Sequence, residues 1–204
     1  MRIAAGARAL GGKGIHLTAF LRCARHAQLP AQGRCYGRLD LLPAEEPRQS
    51  ASRLCRTLED PPLAVWTSPL RRCSEVADQL ALQTGAALRI DERLGEMDFG
   101  DWEGRAWKQI ESEQPDAYQS WMAGWRHLAP PRGEGLAVFE RRVGSWLRER
   151  ARCRELESSV LIGHAGVIRA LRVLGGESSW EDAFGKPIPH LVWLPIPISD
   201  GSRP

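Results

Sequence analysis

The apolar positions of this chain alternate between short continuous runs and longer stretches with helical spacing, and that alternation predicts its elements. Residues 17–21 form a short apolar run that leads into Arg25 and His26, the pattern of a buried strand whose end emerges at a sheet edge. Pro30, Gly33, Gly37 and Pro43 then mark a loop. Residues 44–58 read as a helix, with Leu54 and Leu58 four apart and Pro61-Pro62 as its stop. Residues 63–66 predict a second strand. Ser68 stands as the N-cap of a helix with Pro69 at its first position, with Val76, Leu80 and Leu82 near helical spacing until Gly85 ends it. A third strand follows at 87–90, then a Gly-containing loop at 91–104. Helical stretches are expected around 107–110 and 116–125. A longer helix at 135–152 carries Val138, Val143, Trp146 and Leu147 on its apolar face. Residues 160–163 predict a fourth strand, 167–174 a helix and 191–194 a last strand.

Strands alternating with helices predict a three-layer α/β/α domain with a mostly parallel central sheet. Ligands of such sheets bind beyond the carboxyl ends of the strands. His26 follows the first predicted strand, Ser68 to Arg72 the second, Glu96 the third and His164 the fourth, so four polar stretches are expected to converge on one edge.

Length and composition narrow this picture. At 204 residues and 43% hydrophobic content the chain can bury one sizeable core. One domain is expected over residues 16–204, with the Gly-, Ala- and Arg-containing residues 1–15 as a flexible extension. The net charge of +3 comes from 28 basic and 25 acidic residues that are largely intermixed, so a nucleic-acid partner is not expected. The exception is local: no acid precedes Asp40, whereas Arg2, Arg8, Lys13, Arg22, Arg25, Arg34 and Arg38 all do. Cys23, Cys35, Cys55, Cys73 and Cys153 are odd in number and form no C-x-x-C pair, which predicts small buried hydrophobes in a reducing compartment. No apolar run approaches the roughly 18 residues of a membrane span. A cytoplasmic monomer or homodimer is expected.

Among these residues one chemistry is well served. Transfer from a phosphate monoester needs an oriented nucleophile, neutralisation of the non-bridging oxygens and a proton for the leaving oxygen. The sequence has no cluster at metal-ligand spacing, so no metal or other cofactor is called for and side chains must supply the charge. Arg25 and Arg72 bring planar guanidinium forks, and the helix start at His164-Ala165-Gly166 brings backbone N–H groups. His26 is the candidate nucleophile and Glu96 the candidate acid. His164 is expected as a second cationic group on the phosphoryl oxygens.

Four segments resemble the histidine phosphatase superfamily, also called phosphoglycerate mutase-like: Arg25-His26, T-S-P-L-R-R-C at 67–73, L-G-E-M-D-F-G-D-W-E-G at 94–104, and G-H-A-G-V-I-R-A-L at 163–171. The resemblance implies that His26 becomes phosphorylated, that Arg25, Arg72 and His164 bind phosphate, and that Glu96 donates the proton. It also places Ala165, Gln28, Tyr36 and Gly37 against the substrate. Ala27 stands where the family has glycine, and Gln28 and Leu29 where it has an acidic and a hydroxyl residue. C-Y-G-R-L-D at 35–40, D-A-Y-Q-S-W at 116–121 and P-R-G-E-G at 131–135 resemble the branch of alpha-ribazole phosphatases. That likeness implies alpha-ribazole 5′-phosphate or adenosylcobalamin 5′-phosphate as substrate. A broad sugar or nucleotide phosphatase, and an inactive phosphate-binding module, stand as alternatives. Trp102, Trp107, Trp121 and Trp125 are candidates for stacking on a substrate ring or for core, and Glu134 for a substrate contact or a helix-terminus carboxylate.

Overall fold

The computed structural model describes residues 19–153 and 155–198; the expected extension at 1–15 lies outside them. Five strands form one sheet in the order β3-β2-β4-β1-β5. They are β1 (Ala19–Arg25), β2 (Ala64–Thr67), β3 (Ala87–Ile90), β4 (Ser159–Gly163) and β5 (Trp193–Ile198). The first four run parallel and β5 pairs antiparallel with β1. Helices α1 (Pro47–Cys55) and α2 (Arg71–Thr84) pack on one face. Helices α5 (Leu136–Arg152) and α6 (Ala165–Leu174) pack on the other.

The period-2 alternation of strands builds this sandwich. Val65, Val160, Ile162 and Ala24 point into the α1/α2 layer, while Trp66, Leu161, Leu21 and Cys23 point into the α5/α6 layer. Strand β4 is buried throughout because it lies in the middle of the sheet with both faces covered. A third, smaller core of Cys35, Trp102, Ile110 and Trp121 holds α3 (Trp107–Glu113) and α4 (Pro115–Gly124). A short helix α7 (Trp180–Gly185) completes the set.

Several expectations are corrected. Strand β5 begins at Trp193 and runs through Pro195 and Pro197, where the apolar run 191–194 had placed it earlier. Pro195 and Pro197 oppose Arg22 and Phe20, two residues apart, so both missing N–H groups belong to the free edge and leave the ladder intact. Leu191 itself has φ +52 and cannot extend the strand. Helix α2 starts at Arg71, not after Ser68: Leu70 is its extended N-cap residue, and Asp40 from a distant loop caps the helix by accepting the Arg71 N–H at 2.7 Å. Its buried stripe is Cys73, Val76, Ala77, Leu80 and Ala81, which leaves Leu82 exposed; Gly85 ends it in the left-handed conformation. Val138 is likewise exposed, one position off the stripe of Leu136, Phe139, Val143, Trp146 and Leu147. Helix α7 was not anticipated, although Ser179 caps it by accepting the Asp182 N–H at 3.2 Å, a signature present in the sequence.

Candidate active site

The carboxyl ends of β1, β2 and β4 bring the expected residues to one edge of the sheet. His26 is the first residue past β1, and its N–H donates to Gly163 O at 3.0 Å, the last rung toward β4. Its ring is buried, with Nδ1 2.6 Å from Ala27 O. A carbonyl only accepts, so Nδ1 carries the proton and Nε2 presents a lone pair. Burial and the Arg72 charge hold the His26 pKa well below 6.5, with Arg25 and His190 adding to the effect and the Ala27 bond opposing it. The ring is therefore neutral at physiological pH, with the Nε2 lone pair that a nucleophile needs.

His164 lies one step beyond β4, fully buried, with its ring centroid 5.4 Å from that of His26. Ser68 Oγ sits 2.7 Å from its Nε2, which is the use the fold makes of the serine expected as a helix cap. Burial, then Arg72, hold His164 well below its ordinary pKa too. It is a neutral ring rather than the cation expected from the sequence. Cys73 packs against it at 3.5 Å, its thiol pushed up to about 12 by burial. Ala165 occupies the first position of α6, where a backbone N–H has no intrahelical acceptor.

The two arginines supply fixed positive charge. Arg72 is 1% exposed; it donates to Leu39 O at 2.8 Å and Gly37 O at 2.6 Å, and its Nε has no partner. Arg25 donates to Ile188 O at 3.1 Å, and its Nε is also unpaired. Both are satisfied only by carbonyls, and no described carboxylate forms an ion pair with either. A buried guanidinium without a counter-anion is costly, so this cradle is stabilised by an anion entering it. Arg71, by contrast, is half exposed and pairs with Glu75.

Glu96 is buried and oriented by two backbone donors, Met97 N–H on Oε1 and Gly166 N–H on Oε2, each at 3.0 Å. A Cβ on Gly166 would lie 2.2 Å from Glu96 Oε1, so glycine is required for this approach. Beyond Glu96 opens a cavity of about 330 Å³ whose walls are Met97, Phe99, Trp107, Trp121, Trp125 and Trp180, among other apolar residues. Among the described residues, Arg169 is its one cationic wall residue. Trp102 does not line it: that ring is fully buried in the third core, with its N–H on Gln114.

Of the expected substrate contacts, Gln28 and Tyr36 line a second cavity of about 260 Å³ together with Arg25, His26 and His190. Gly37 has a different task. Its N–H goes to Glu103, its carbonyl to Arg72, and a Cβ would meet Met97 O at 2.1 Å, so it is built into the loop that holds Arg72. Glu134 is held by Arg142 through both oxygens at 2.8 Å and is taken up in the scaffold.

The residue pattern of the histidine phosphatase superfamily (branch 1) matches residues 21–183. The chain belongs to that superfamily. An adenosylcobalamin/alpha-ribazole phosphatase of Escherichia coli K12 is 29% identical over 121 residues, covering 57% of this chain and 60% of that protein. The chain thus matches about three fifths of the length of that relative. A glucosyl-3-phosphoglycerate phosphatase of Mycobacterium tuberculosis is 33% identical over 166 residues, 72% of this chain and 70% of that one. Among solved structures, a Shigella flexneri alpha-ribazole phosphatase superposes with a TM-score of 0.77 at 24% identity, covering 85% of this chain and 88% of that one, a likeness of fold. A mycobacterial glucosyl-3-phosphoglycerate phosphatase superposes at 0.72 with 26% identity, covering 84% and 86%.

In this superfamily member two supporting residues escaped the sequence reading. Glu103 accepts four backbone N–H groups, from Gly37, Arg38, Leu39 and Phe99, at 2.8 to 3.0 Å. It shapes the loop whose carbonyls hold Arg72. Arg142 donates to the carbonyls of Arg93, Gly95 and Glu96 and so fixes the main chain that carries the Glu96 carboxyl group. Both are charged residues bonded mostly to backbone far away in sequence, which no local pattern reveals.

Proposed function

We propose that the protein is a phosphatase that hydrolyses a small-molecule phosphate monoester through a phosphohistidine at His26. The observation that carries this is a neutral, buried histidine with a free Nε2 beside the buried Arg72 and the half-buried Arg25, neither of which is ion-paired with a described carboxylate. Arg25, Arg72, the Ala165 N–H and His164 receive the non-bridging oxygens. The Nε2 lone pair forms the N–P bond as the P–O bond to the leaving group breaks, and the departing oxygen takes its proton from Glu96. The positive charge on the phosphorylated ring is met by the Ala27 carbonyl on Nδ1. A water then gives a proton to the Glu96 carboxylate and attacks phosphorus, the N–P bond breaks, and phosphate leaves with the acid restored.

For the substrate we favour alpha-ribazole 5′-phosphate or adenosylcobalamin 5′-phosphate. The cavity beside Glu96 is walled by aromatic rings, a surface suited to a flat apolar ring system and poorly suited to serine or a sugar acid. The relatives named for the ribazole reaction point the same way. We place the protein in the cytoplasm, without metal or other cofactor. The test compares kcat/KM for alpha-ribazole phosphate, phosphoserine and glucosyl-3-phosphoglycerate in the presence of chelator. A preference of ten-fold or more for the first supports the assignment. Equal turnover of all three would indicate a broad phosphatase, and no turnover of any phosphate ester an inactive binding module.

A further inference from the structure

A third histidine stands at the site, and the reaction above does not use it. The segment 188–191, between α7 and β5, is fastened to the Arg25-His26 pair at three points. Ile188 O accepts from Arg25 at 3.1 Å, the Leu191 N–H donates to Arg25 O at 2.9 Å, and His190 Nδ1 lies 2.5 Å from His26 O. Since a carbonyl accepts only, His190 Nδ1 is the donor. The His190 ring is set edge-on to that of His26, with centroids 5.5 Å apart. Leu191, directly after it, has φ +52, a conformation that side chains bearing a Cβ disfavour and that persists where its surroundings over-determine it, commonly at functional sites.

The carbonyl that His190 holds is the one place where the nucleophile's backbone would otherwise be loose. The His26 N–H is tied to Gly163 by the last rung of the sheet, but its carbonyl lies beyond the end of β1. The next carbonyl, that of Ala27, orients the His26 ring. Rotation about the His26 Cα–C bond would reorient the chain at Ala27 and so swing the ring's own anchor. We propose that His190 is a positioning residue for the nucleophile: its Nδ1–H pins the His26 carbonyl and so keeps Nε2 aimed in line at phosphorus. This rests on the phosphohistidine reading given above.

The test is the burst of nitrophenolate from p-nitrophenyl phosphate, whose leaving group needs little protonation, so the burst reports the attack by His26 apart from Glu96. His190→Ala is expected to slow the burst roughly 10- to 100-fold, the range seen for partners that orient reacting groups. Affinity for inorganic phosphate, measured as inhibition, should change less than about three-fold on the same reasoning, since Arg25 and Arg72 remain. His190→Asn, whose amide nitrogen takes the place of Nδ1, should recover most of the rate; His190→Gln, whose amide takes the place of Nε2, should not. The clamp is overturned if His190→Ala gives a native burst, or if Gln rescues and Asn does not, which would mean that Nε2 touches substrate. It is also overturned if the slowing merely follows a loss of folded protein that Asn does not repair. A native protein that turns over no aryl phosphate would instead refute the phosphatase reading, and with it any catalytic part for His190.

Discussion

On one side of Glu96 the phosphate cradle is held by bonds between side chains and main chain, whereas on the other the aromatic cavity is held by ring against ring. Arg72 rests on two carbonyls, Ser68 holds His164, and Glu103 gathers four N–H groups into the loop beneath. Across the acid, Trp107 stacks on Trp121 with centroids 6.2 Å apart, and Trp125 meets Phe184 at 4.5 Å. The contrast teaches how one site divides two tasks. Fixed, directional bonds place charge where a phosphoryl group must be met to within a fraction of an ångström. On the proposed function, packing of apolar rings would select a leaving group by shape and tolerate adjustment.

Substitutions that break the cradle should therefore cost rate, and those in the cavity should cost selectivity. The largest effect is expected for His26→Ala, a loss of at least about four orders of magnitude in kcat against every phosphate ester, as for other removed nucleophiles. Arg72→Met comes next, with a loss of roughly 10²- to 10³-fold in kcat/KM and of phosphate inhibition alike, since it strips a charged donor from the phosphoryl oxygens. Gly166→Ala should push Glu96 aside through the 2.2 Å approach of the new Cβ. Alkyl phosphates, which need the proton, should slow about 10²-fold while p-nitrophenyl phosphate changes little. Trp125→Ala should raise KM about ten-fold for an aromatic leaving group and leave phosphate inhibition as it was. If Trp125→Ala affected all substrates equally, the division between the two regions would be wrong.

The smallest effect is on stability against pH. His26 and His164 both have folded pKa values depressed below the ordinary 6.5, so the unfolded chain binds more protons once the pH falls below that value. Their contribution is complete above about pH 6.5 and is lost progressively as the pH drops toward the folded values. Thermal melts from pH 7.5 to 5 should show this decline, and it should be shallower in His26→Ala.

The strands and the four motif segments were legible because they are local. β3 falls at 87–90 as its apolar run predicts, and His26, Glu96 and His164 stand just past strand ends that short hydrophobic runs reveal. What was illegible is tertiary. Ser68 has every local mark of a cap, yet a partner 96 residues away claims its hydroxyl while Asp40 takes over the cap. Pro195 and Pro197 argue against a strand unless its place at the sheet edge is known. Trp102 and Trp121 carry the same residue type in the same insertion, but only packing decides that the first is wholly core and the second also lines the cavity. His190 gave no signal at all, lying in a loop with no motif around it.

The central claim is that a neutral His26, set beside the buried Arg72 and the half-buried Arg25, takes the phosphoryl group. It is tested most directly by quenching the protein during turnover of a labelled phosphate monoester and mapping the label by mass spectrometry. The account predicts one acid-labile, base-stable phosphoryl group on His26 Nε2, absent from His26→Ala and accumulating when Glu96→Gln slows its hydrolysis. Full turnover with no label on His26, or with label on another side chain, would contradict it.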